Sequence, residues 1–150
     1  MWIIMRTDFR KEPYVVSQIG NMGFPAWHPV QVIACRPAVA RRVTAKAQLR
    51  AYREIAILPR RVFACLPVAS IDDLQGIRHL VGVEFNGDMR PVEIPDGQIS
   101  AFRAVIDAEN RAALALSQSA SRKQKAKWRD LKEALLEMVD GARAQLEQAA

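Results

Sequence analysis

The residue types able to do chemistry in this chain are mostly guanidinium and ammonium groups, and they are clustered. Between Arg36 and Arg61 stand eight basic residues, Arg36, Arg41, Arg42, Lys46, Arg50, Arg53, Arg60 and Arg61, against one acid, Glu54, a net of +7 in a chain whose total is +6. A local excess of this size is an electrostatic footprint for a polyanion, set against the plain reading of a solvated face. The remaining reactive side chains are scattered. His28 and His79 lie far apart, and neither has a Cys, Asp or Glu at ligand spacing. Cys35 and Cys65 form no CxxC and sit in apolar stretches, where cysteine reads as a small core side chain. Asp72-Asp73 fits helix capping better than a metal. No GxGxxG, P-loop, GxSxG or HExxH is present. The expectation is a protein that is not an enzyme and takes no cofactor and no metal.

The elements that must position the basic residues follow from patterning. The 150 residues are half hydrophobic and a quarter charged, as in an ordinary globular domain, and the apolar runs are far short of a bilayer span. With no secretory pattern at the N-terminus, the chain is expected to be cytoplasmic, with no membrane partner. Trp2-Ile3-Ile4-Met5 reads as a buried strand. A helix follows, with Pro13 in its first turn and Gly20 and Gly23 at its end. Phe24 to Cys35 returns to β-type residues, and residues 36–54 read as an extended, solvent-projecting hairpin, although their alanine content also allows a helix. Ile55 to Leu66 reads as a second buried strand interrupted by Pro59. A capped short helix is expected from Ser70, then a strand from His79 to Phe85 turning at Asn86-Gly87. Pro95-Asp96-Gly97 opens a helix with an apolar face of Ile99, Phe102, Val105 and Ile106.

This order predicts an α+β fold, an antiparallel sheet with helices packed on one face, of the ferredoxin-like kind, over residues 1–106. Residues 107–150 differ in kind, being rich in Ala, Glu, Lys, Arg, Gln and Leu. They predict a helical extension broken at residues 117–121. In its second piece Trp128, Leu131, Leu135, Met138 and Ala142 make a narrow seam. The seam could dock on this domain, on a second copy or on a partner. The basic residues before it (Arg122, Lys123, Lys125, Lys127) favour a partner, so that removing residues 117–150 is expected to leave a folded domain.

The pieces also resemble a known family. Trp2-Ile-Ile-Met-Arg-Thr-Asp-Phe-Arg-Lys-Glu12, a helix, and Gly23-Phe24 followed by Pro25 to Pro29 are similar to the start of the NusG-type N-terminal (NGN) domain. Ile57-Leu58-Pro59-Arg60-Arg61-Val62-Phe63 looks like its phenylalanine-proline-glycine-tyrosine strand motif. Ile77 to Phe85, Pro91 to Asp96 and the helix containing Ile99 continue the match, over about residues 2–106. The resemblance implies a non-enzymatic transcription elongation or antitermination factor. It would dock on the clamp helices of the largest RNA polymerase subunit, reach the gate loop of the second-largest, and suppress pausing or termination by bridging the cleft. It assigns Trp2, Ile4, Ile57, Leu58, Arg61 and Phe63 to polymerase binding. Arg6, Arg10, Lys11, Arg41, Arg42 and Lys46 are assigned to nucleic acid, in the form of upstream or non-template DNA. Asp72 to Gln75 falls near the gate-loop contact.

Two features depart from the family. Arg60 and Arg61 stand where glycine and tyrosine are usual, and a helix-forming segment replaces the C-terminal KOW barrel, so no KOW-dependent partner is expected. The shortened architecture fits a phage or mobile-element factor. The competing reading is a free-standing RNA- or DNA-binding module of ferredoxin-like fold, although the RNP1 pattern is missing. A third is a structural protein assembling through the C-terminal seam.

Overall fold

The computed structural model describes residues 1–35, 51–116 and 122–148. Its organising element is β1 (Trp2–Thr7), in which every residue except Arg6 is buried. Side chains of a strand alternate between faces, so a strand buried throughout must be covered on both sides. Ile3 and Met5 point into a cluster with Val62, Ala64 and Leu74, closed by Val15 and Ile19 of α1 (Glu12–Asn21). Trp2 and Ile4 point the other way, into a cluster with Phe63 and Ile94. This second cluster is closed by Ile99 and Ile106 of α2 (Asp96–Leu116) and by Trp128, Leu135, Val139 and Ala142 of α3 (Arg122–Gln148).

The described strands form two antiparallel sheets. In the larger, β2 (Ala26–Trp27), β5 (Arg61–Cys65), β1 and β6 (Leu80–Val83) follow in that order, and β7 (Glu93–Ile94) also pairs with β1. The β1–β5 register sets Trp2 opposite Cys65, Ile4 opposite Phe63 and Arg6 opposite Arg61. β6 and β7 flank the two ends of β1 on its other edge, and Glu84 and Val92 bridge between them, with the Glu84 N–H donating to Ile4 O at 2.9 Å. β3 (Val30–Cys35) and β4 (Ala51–Ala56) form the second sheet, a hairpin. Its link to the body comes from Asn110 of α2, whose Nδ2 donates to Val30 O at 2.9 Å and whose Oδ1 accepts from the Val32 N–H at 2.8 Å.

Local chemistry explains most boundaries. Pro13 sits in the first turn of α1, where a missing N–H costs nothing. Gly23, at φ 88°, ends the helix: its N–H donates to Gly20 O while the Phe24 N–H reaches Ile19 O, a Schellman closure that needs the left-handed residue. Asn86 fixes the turn after Glu84 by accepting at Oδ1 from the Asp88 and Arg90 N–H groups. No helix among the described residues is long and apolar enough to cross a membrane.

The fold is therefore α+β with antiparallel sheets and helices, and several finer expectations change. Helices cover both faces of the sheet rather than one, because β1 carries apolar residues of both parities. The single strand expected over Ile55 to Leu66 is two strands in different sheets, β4 and β5. Pro59 cannot donate to a ladder, and the chain turns there, with Ile57 and Leu58 buried in the turn. The helix expected from Ser70 is a pair of 3-10 turns, Val68–Ser70 and Asp72–Leu74, without a side-chain cap. Val105, expected on the apolar face of α2, is 46% exposed. The boundary expected at residue 106 falls inside α2. The helical break over residues 117–121 and the hairpin segment over 36–50 lie outside the described residues.

The largest change concerns the C-terminal seam. It packs on the chain's own sheet face instead of waiting for a partner, and Leu131 and Met138 flank its buried residues. A folded remnant after removal of residues 117–150 would expose Trp2, Ile4 and Phe63, the cost of which the seam now offsets. Leu135 is fully buried, so Leu135→Ala should lower stability by about 2–5 kcal/mol, read as a shift in the denaturant midpoint. A change within the error of the titration would mean that α3 is not seated on this core.

A covered apolar face with an arginine rim

The residues that carry the apolar part of the site come from β1, β5 and the turn before β5. Trp2 and Ile4 form one row, Cys65 and Phe63 the row beside it, and Ile57 and Leu58 close the end. Half-buried Trp27 lies against Phe63 with ring centroids 5.4 Å apart. The indole of Trp2 is fixed by its Nε1 donating to Asp96 Oδ1 at 2.7 Å, at the start of α2. The structure thus brings Trp2, Ile4, Ile57, Leu58 and Phe63 into one cluster, and all five are buried beneath α2 and α3. In this state they are core, covered by a helix.

The same two rows end in charge. Arg6 extends the Trp2–Ile4 row and Arg61 the Cys65–Phe63 row, as a directly opposed cross-strand pair. Arg61 Nε donates to Glu84 Oε1 at 2.8 Å, and Arg143 of α3 donates to the other oxygen, Oε2. Glu84 is only 4% exposed at its side chain, so both oxygens need these partners. Sequence reading missed Glu84 and Arg143. A lone acid inside the Val83-Glu84-Phe85 strand end was a signal, but nothing pointed to its partner 59 residues away.

The second basic group surrounds Phe9. Arg10 and Arg60 both adopt left-handed backbone, at φ 63° and 65°, and their guanidinium carbons lie 5.0 and 5.9 Å from the Phe9 ring centroid. The Arg60 turn is held by its backbone N–H donating to Oε1 of buried Glu12 at 2.6 Å. Arg6, Arg10 and Lys11 are exposed. Arg41, Arg42 and Lys46 lie outside the described residues, so the structure does not join them to this group. Cys65 is a half-buried free thiol, and Cys35 lies at the end of β3. His79 pairs with Asp8 at 2.9 Å and meets the Tyr14 ring edge-on. Among the described residues no group of three or more His, Cys, Asp or Glu side chains could hold a metal ion.

No protein-family model matches the chain, and no curated protein matches it at a significant level.

Two predictions follow from the polar groups. Glu84→Gln removes one partner of a buried ion pair and should destabilise the fold by about 3 kcal/mol, checked by chemical unfolding; a cost near zero would show that the arginines do not depend on it. His28 is held below its ordinary value of 6.5 by burial, with Glu12 and Glu54 pulling partly the other way. Below 6.5 the unfolded chain takes up the proton more readily, so the neutral half-buried ring's contribution is full above that pH and is lost as pH falls. Unfolding midpoints measured across this window should fall less steeply in His28→Gln than in the natural chain. Parallel curves would assign the acid sensitivity elsewhere.

Proposed function

We propose that the chain is a NusG-like transcription elongation or antitermination factor of ferredoxin-like NGN architecture. In this reading it docks on the RNA polymerase clamp helices through the face made by Trp2, Ile4, Ile57, Leu58 and Phe63. One observation carries the reading: an apolar sheet face that takes an amphipathic helix, α3, in a chain whose resemblance assigns that same face to a helical partner. α3 is then a cover that polymerase must displace. Burying Trp128, Leu135 and Val139 contributes roughly 1.5–3 kcal/mol each, so uncovering is costly and the free chain is mostly closed. Apparent affinity for polymerase is reduced by the fraction of uncovered molecules.

With one side seated on the clamp helices and another at the gate loop, the chain would act as a strut that keeps the cleft closed and catalyses nothing. The arginines around Phe9, with Arg6 and Lys11, would face upstream or non-template DNA. The exposed Arg10–Phe9–Arg60 stack is the observation that favours the second reading, a free-standing nucleic-acid-binding module.

The two readings separate in a pull-down of the tagged chain with core RNA polymerase, intact or lacking the tip of the clamp helices. Capture should occur with the intact enzyme and be lost with the shortened one; equal capture by both would exclude clamp-helix docking. Leu131 is only half-buried in the cluster. Leu131→Ala should therefore loosen the cover without unfolding the body. If it weakens the seating by ~1.4 kcal/mol, apparent affinity for polymerase should rise about tenfold.

A further inference from the structure

At the charged end of the sheet face lies a cleft of about 570 Å³ whose walls include Arg6, Arg60, Arg61, Arg143, Glu84 and Phe85. Four arginines and one glutamate line it; Arg143 also lies 4.0 Å from Asp140, beyond the wall. Glu84 is fully engaged, since its two oxygens already serve Arg61 and Arg143. Among the described residues Arg6 and Arg60 make no ion pair, and Arg6 stands directly across from Arg61, a like-charge pairing that is unfavourable in a sheet. The buried Nε of Arg143 has no acceptor. The cleft therefore holds more donors and more positive charge than the chain itself satisfies, an arrangement that an anion with several oxygens relieves.

The aromatic group makes the ligand more specific. Phe85 is 45% exposed and presents an apolar ring inside this arginine cluster. Guanidiniums that track a backbone, beside a ring on which a base can stack, are the two parts of a single-strand site, and a base paired in a duplex has no open face to offer. We propose that this cleft binds a base-bearing phosphate ester in single-stranded nucleic acid. Arg6 and Arg60 hold phosphate oxygens, Arg61 and Arg143 lend charge from their places on Glu84, and Phe85 stacks on the base. Phe85 and Arg143 are new to the site, whereas Arg6 and Arg60 belong to the group already proposed to face DNA. The inference rests on that nucleic-acid assignment and not on docking to polymerase, so a test without polymerase keeps the two failures apart.

The test is fluorescence anisotropy of the full chain with labelled single-stranded oligo-dT, a duplex of the same length, and AMP or inorganic phosphate as competitors, all without polymerase. The single strand should bind more tightly than the duplex. Phe85→Ala and Phe85→Leu should each weaken it about tenfold, the second variant keeping an apolar side chain so that lost stacking is separated from lost packing. Arg6→Gln and Arg60→Gln should each lower the salt slope by about 0.7, while Arg78→Gln, an exposed arginine outside the cleft, should leave it unchanged. Displacement by AMP but not by inorganic phosphate would show base and phosphate read together. AMP binding without strand binding would assign the same chemistry to a free nucleotide. Equal affinity for duplex and single strand, or binding indifferent to the Phe85 and arginine variants, would overturn the proposal.

Discussion

The structure depends on a strand that must be dry on both faces. Trp2, Ile3, Ile4 and Met5 are all buried, and alternation sends them in opposite directions. One face can be closed early in the chain, by α1. Among the described residues the other has no comparable helix until after Pro95, and α2 reaches its apolar cluster through Ile99, Phe102 and Ile106. The rest of the cover comes from α3. The C-terminal helix is thus tied to the first strand by a hydrophobic requirement, and the ion pair of Arg143 with Glu84 holds it to the charged end of that face.

In the proposed function one surface serves two purposes. In the free chain the face around Phe63 is core. In the proposed complex it is an interface, and the affinity of the complex is what remains after α3 has been lifted. A cover of this kind selects a partner able to replace a helix with another well-packed helical surface. It also keeps an apolar patch from open water, where it would favour aggregation. The arginine rim differs in character: Arg6 and Arg60 are exposed while the face beside them is closed, so charge is presented before apolar contact is possible.

Much of this was legible in sequence where local chemistry decides. The continuous apolar run fixed β1 as a buried strand, Pro13 and Gly23 bracketed α1, and Asn86-Gly87 marked the turn before β7. The spacing of Trp128, Leu131, Leu135, Met138 and Ala142 identified the buried side of α3, since periodicity reports which side of a helix is apolar. It does not report what that side meets, and the expected partner gave way to the chain's own sheet. The same limit applies to Pro59, which reads as an interruption whether a strand bends or ends. The Glu84 pairs with Arg61 and Arg143 join residues distant in sequence, and no local pattern encodes them. The resemblance to the NGN family gathered Trp2, Ile4, Ile57, Leu58 and Phe63 as a set, and the fold places them together.

The exchange of covers is the central claim, and hydrogen–deuterium exchange of the full chain, alone and with core RNA polymerase, tests it most directly. Binding should strip protection from the amides of α3 while those of β1 and β5 stay protected, because one cover replaces another over an unchanged sheet. Unaltered protection of α3 in a polymerase-bound sample would contradict the account, since the face beneath it could not then be the one that polymerase holds.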